Sequence, residues 1–165
     1  MIDVIISATD TALLAISVPR FLRTERGFQG QFYCALQKAL EERGVLQGDH
    51  ILEMEYQKSA RHGIYQRPDI VLHIPAEEAS AEVYENNLAV WALKRHATED
   101  AARDDFDKLD EMFDQLRYPL GIFVNIDSAE HFALSYAGRF PERVRTVAVS
   151  IEDGEILPKW GRPGL

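Results

Sequence analysis

Three short and nearly unbroken apolar runs constrain this chain most: IVLHI at 70–74, LAVWAL at 88–93 and GIFVNI at 121–126. Each has the length of a strand, and apolar side chains on both of its faces call for a layer above and a layer below. Helical patterns supply such layers. From Glu25 to Arg43 the residues Phe28, Phe32, Ala35, Leu36, Ala39 and Leu40 recur at helical spacing until Gly44 stops them. Thr98 can cap a second stripe of Ala101, Ala102, Phe106, Leu109, Met112, Phe113 and Leu116, which ends before Tyr118-Pro119.

HILEMEY (50–56) alternates, with Leu52, Met54 and Tyr56 on one side and Glu53 and Glu55 on the other, as a half-buried strand would. VRTVAVSI (144–151) reads as a further strand before an Asp153-Gly154 turn, and a third helical piece is expected around 128–139. The tail KWGRPGL, broken by Gly and Pro, is expected to be a surface segment without regular structure. From Glu25 the order is helix, three strands, helix, strand. Successive strands imply an antiparallel meander, and the strand-helix-strand unit after them implies a parallel crossover. The expected fold is α/β, a mixed central β-sheet flanked by helices, with an αβββαβ core over about 25–126 in one domain spanning 1–165.

Composition narrows the function. With 165 residues, 46% of them hydrophobic, the chain can bury one proper core and not two. A net charge of −9 excludes coating nucleic acid by bulk electrostatics, so any such contact needs a local basic patch. Arg20, Arg23 and Arg26 approach the first helix; Lys58, Arg61, His62 and Arg67 precede Asp69; Lys94, Arg95 and His96 end the third strand. Among these, Arg26, Arg67, Arg95 and His96 are the candidate nucleic-acid contacts. The acidic series Asp104, Asp105, Asp107, Asp110 and Glu111 reads as solvated surface.

The single cysteine, Cys34, has no disulfide partner within the chain and reads as a small buried hydrophobe in a reducing compartment. MIDVIISATDTALLAISV at the start is interrupted by Asp3 and Asp10 and lacks a basic lead, which is a poor match to a signal peptide. No run approaches the roughly 20 apolar residues of a membrane span. The expectation is a cytoplasmic protein with no membrane contact. The histidines show no zinc-ligand spacing, and no phosphate-binding loop, dinucleotide fingerprint or nucleophile elbow occurs.

Two short segments carry possible chemistry. Pro68-Asp69 opens the 70–74 strand, and Ala92-Leu93-Lys94 closes the 88–93 one. Alone, a Pro-Asp pair is a common turn, and an acid such as Glu25 at a helix start suits the macrodipole. Residues 92 and 94 lie two apart and so share one face of their strand. In this order the segments resemble the PD-(D/E)XK nuclease superfamily over residues 25–126.

The resemblance implies hydrolysis of phosphodiester bonds in DNA, with RNA a further possible substrate, assisted by Mg²⁺ or Mn²⁺. Divalent metal supplies an activated water and neutralises charge on the phosphate, and Mg²⁺ prefers oxygen ligands. Asp69 would be the central metal ligand, aided by Glu25 and the Leu93 carbonyl. Lys94 would orient the attacking water or stabilise developing charge. The departure is Ala92, which stands where the pattern has an acid, while same-face Val90 and Leu88 offer none. Such a site is expected to be crippled. An engineered replacement, favoured by the intact surroundings, a natural loss of activity, or an acid drawn from the next helix (Glu99, Asp100 or Asp104) each account for it. The resemblance further implies an endonuclease of restriction or antiviral defence; because one such site cuts one strand and no accessory DNA-binding element is evident, a homo-oligomer or a partner protein is expected. The competing reading is a non-catalytic scaffold that binds nucleic acid or protein.

Overall fold

In a computed structural model, residues 1–54, 68–75 and 87–164 are described. The helices are α1 (Ile2–Leu14), α2 (Glu25–Glu42) and α3 (Glu99–Leu116). The strands are β1 (Ile51–Met54), β2 (Ile70–His73), β3 (Asn87–Arg95), β4 (Gly121–Ile126), β5 (Val144–Glu152) and β6 (Glu155–Gly161). They form one six-stranded sheet in chain order. β1, β2 and β3 make the antiparallel meander, β3 to β5 run parallel, and β6 returns antiparallel. The fold is therefore α/β with a mixed sheet, as the sequence pattern implies.

Both faces of this sheet are covered, which explains the unbroken apolar runs. Ile122, Val124 and Ile126 of β4 join the cluster under α1 and α2, while Phe123 joins the cluster under α3. β3 divides in the same way: Trp91 and Leu93 face α1 and α2, and Val90 and Ala92 face α3. Asn125 is the polar exception in β4. Its amide oxygen accepts from the Ala97 N–H at 3.0 Å and its amide nitrogen donates to the Glu130 carbonyl at 2.8 Å, so it stitches together the loops that leave β3 and β4.

The caps follow ordinary rules. Thr24 Oγ1 accepts from the Gly27 N–H at the start of α2, and Thr98 Oγ1 accepts from the Ala101 N–H at the start of α3. Gly44, with φ of +70°, receives the end of α2.

Several expectations need correction. Residues 2–14, to which the sequence pattern assigns no element, form α1, whose Ile5, Ala8, Ala12 and Leu13 are fully buried. Residues 128–139 are no helix; they hold only a 3-10 turn at Ala133–Ser135. Phe132 enters that turn with φ of +55°, and Asp110 fixes the segment by accepting from the Tyr136 hydroxyl and the Arg139 N–H. The tail is not irregular throughout, because Lys159, Trp160 and Gly161 belong to β6. Pro158 is tolerated there since β6 is an edge strand with no second neighbour to demand its missing N–H. Trp160 Nε1 donates to Asp10 Oδ1 of α1 at 2.7 Å. Cys34 is exposed, not buried, and Met54 is exposed at the end of β1 while Leu52 is buried. Glu55 and Tyr56 lie outside the described residues. Among the described residues no helix is long and apolar enough to cross a membrane.

α1 is tied to the sheet through one buried relay. Trp91 Nε1 donates to Thr9 Oγ1 at 3.2 Å, and that hydroxyl donates to the Ile5 carbonyl at 2.9 Å. Thr9→Val keeps the shape but strands the indole N–H in the core. A buried unsatisfied donor costs about 1–3 kcal/mol, so urea unfolding should show a loss of that size although valine is the more apolar residue.

Candidate active site

The site begins where β2 starts. The antiparallel register pairs Ile70 with Trp91, so β3 continues past the start of β2 with one edge uncovered. Two acids cap that edge. Asp69 Oδ2 accepts from the Leu93 N–H at 2.7 Å, and Glu25 Oε2, from the first turn of α2, accepts from the Arg95 N–H at 3.1 Å. Gln29, one turn further along α2, donates from Nε2 to the Asp69 carbonyl at 3.1 Å. Because the N–H and C=O of a strand residue point to the same edge, the Leu93 carbonyl opens toward the same space.

A pocket of about 130 Å³ lies here, lined by Glu25, Asp69, Ala92, Leu93 and Lys94, and by Asp105 and Lys108 of α3. It is well below the roughly 300–1,000 Å³ of small-molecule sites. Its size suits an ion with its waters or one phosphate group. Strand parity turns Ala92 and Lys94 to the face covered by α3.

Asp105 and Lys108 were not legible as site residues. The acidic series on α3 is only partly solvated: Asp104, Asp107 and Glu111 are exposed, but the Asp105 side chain is only 9% exposed and its Oδ1 lies 2.6 Å from Lys108 Nζ. Asp105 falls on the buried stripe between Ala102 and Leu109, which carries it to the sheet. Glu99, Asp100 and Asp104 are exposed and do not line the pocket; Glu99 instead pairs with Arg103 and Ser135. The α3 carboxylate that lines the pocket together with Ala92 is thus Asp105.

The other basic candidates divide. Arg95 is committed to holding elements together, with Nε donating to the Leu22 carbonyl at 2.8 Å and Nη2 to Asp127 Oδ2 at 2.8 Å. His96 Nε2 lies 2.9 Å from the same oxygen. Arg26 is exposed and lines a neighbouring depression with Gln29, Gly30 and Met54. Lys58, Arg61, His62 and Arg67 lie outside the described residues.

Asp69 is pushed up to about 6, first by burial and then by the charges of Glu25 and Asp105, against the opposing Leu93 hydrogen bond and Lys108. For Lys108, burial acts downward, but the hydrogen bond and charge of Asp105, with Asp104 and Asp69, raise it overall. Among the described residues no three His, Cys, Asp or Glu side chains gather into a ready-made metal cage. The donor set nevertheless fits Mg²⁺, which commonly keeps several waters and takes one or two carboxylates. The charges of Glu25 and Asp105 that push Asp69 upward are those that a hard cation would relieve.

The Asp69 shift makes a pH-dependent prediction. Between the ordinary value of 3.8 and about 6 the folded protein keeps a proton that the unfolded chain has released, so stability falls as pH rises through that window. Above it, the ionised group leaves the fold weaker by up to about 3 kcal/mol. Asp69→Asn, unfolded by urea in chelator, should therefore be about 1–3 kcal/mol more stable than the unchanged chain at pH 7.5. That advantage should largely vanish at pH 4. Compared with known proteins, the chain matches no family, no curated protein and no solved structure.

Proposed function

We propose that this chain hydrolyses phosphodiester bonds of DNA with the help of a divalent cation, in the manner of PD-(D/E)XK nucleases. We further propose that Asp105 takes the part of the acid absent at position 92. The observation that carries this reading is the convergence of Asp69, Lys94 and Asp105 on one small pocket at the open edge of β3. Mg²⁺ or Mn²⁺, when bound, would neutralise charge on the phosphate and favour ionisation of a water.

The chain's own groups do the rest. Asp69, oriented by the Leu93 N–H, and Asp105 of α3 would hold the cation, with the Leu93 carbonyl as a further oxygen. Glu25 would stay mainly structural, since one of its oxygens is already engaged by the Arg95 N–H. Lys94 would hold the attacking water or donate to a non-bridging phosphate oxygen, stabilising the charge that develops in the transition state. Arg26 would meet the nucleic-acid backbone beside the pocket, as a phosphate contact without sequence preference.

A second reading, a non-catalytic scaffold, draws support from the Asp105–Lys108 ion pair, which neutralises one of the two acids.

The test is cleavage of supercoiled plasmid, linear DNA, single-stranded DNA and RNA with Mg²⁺ or Mn²⁺. The unchanged chain should nick plasmid in a metal-dependent way. Asp69→Asn, Lys94→Met and Asp105→Asn should each reduce the rate about 100-fold or more, with circular dichroism unchanged. Ala92→Glu should then raise the rate little, since the second acid is already present. Cutting only by the Ala92→Glu variant would place the acid at 92 instead, and inactivity of every form would favour the scaffold.

A further inference from the structure

Lys108 reaches the pocket from α3 one turn beyond Asp105, and its ammonium lies 2.6 Å from Asp105 Oδ1. The two side chains differ in freedom. Asp105 is nine-tenths buried, whereas Lys108 is 45% exposed. A buried carboxylate left without a counter-charge is strongly destabilising, so in the metal-free protein Lys108 supplies the charge that Asp105 requires. A divalent ion held by Asp69 and Asp105 would bring further positive charge to the carboxylate that the ammonium already neutralises. An ammonium and a metal ion beside one carboxylate repel each other in a partly desolvated site, so the two compete for Asp105. Asp105 is fixed by its place on the buried stripe, while the flexible four-carbon stem of lysine lets the ammonium swing out into water.

Resting on the metal-dependent reading above, the geometry points to Lys108 as the resident cation of the pocket: it neutralises Asp105 when no metal is bound, leaves when a divalent ion enters, and thereby lowers and sets the affinity for that ion. The alternative is a static i, i+3 ion pair that only braces the helix. The two differ in what removing the ammonium does to metal binding. A brace affects stability alone, whereas a displaceable cation competes with the metal.

The experiment titrates Mg²⁺ and Mn²⁺ into the full chain by calorimetry and follows thermal unfolding with and without metal. Lys108→Met should melt lower than the unchanged chain in chelator, bind Mg²⁺ about tenfold more tightly, and show a larger metal-induced rise in Tm. Lys108→Gln keeps a donor for Asp105 and guards against misfolding of the methionine variant; it should shift affinity in the same direction. Lys108→Arg, retaining the charge, should stay near the unchanged chain. Asp105→Asn should bind metal weakly whether or not Lys108 is also replaced.

Equal metal affinity, within twofold, for the unchanged chain and both neutral variants would overturn the proposal while leaving the nuclease reading intact. Absence of metal binding in every form would overturn both.

Discussion

The structure turns on a mismatch of strand lengths. β3 runs past the start of β2, and the N–H groups of Leu93 and Arg95 face an edge where, among the described residues, no strand pairs with them. Buried or half-buried donors of this kind need acceptors. The chain provides them as carboxylates from two different places, Asp69 before β2 and Glu25 at the start of α2. The same hydrogen bonds that finish the sheet therefore concentrate acid at one point. The pocket follows from sheet architecture.

Such concentration is unfavourable in itself. Asp69 is desolvated beside two like charges, and its raised pKa records the strain. What tolerates it is the packing on either side. Fully buried Phe28, Phe32 and Trp91 lie on one face, and the Phe106–Phe123 edge-to-face pair lies on the other, with ring centroids 5.2 Å apart. These two layers hold β3 and α3 in place whatever the ionisation state of the acids between them. Lys94 and Lys108 line the same pocket and bring countercharge to it, Lys108 through its ion pair with Asp105.

Much of this architecture was legible in the sequence because apolar periodicity is a local signal. The strands at 70–74, 88–93 and 121–126 announced a two-sided sheet, and Thr98 and Gly44 marked helix ends that the backbone adopts. The failures share a cause: each depended on a distant partner. Residues 2–14 look only mildly apolar until α2 and Trp91 are present to receive them. Trp160 looks like part of a loose tail until Asp10 offers its carboxylate. Asp105 was hidden in a run of acids, although its spacing from Ala102 and Leu109 already set it on the inward stripe. Lys108 gave no signal of its own, being an ordinary surface lysine until Asp105 is seen to be buried.

The bond between Trp160 and Asp10 joins positions 150 residues apart. α1 precedes α2 in the chain and can settle early on it, but its flank stays open until β6 has formed. Folding that waits for contacts so distant in sequence tends to be slow. Without β6, β5 would be a bare edge and α1 would lose the Trp160 contact, two features that invite aggregation or proteolysis.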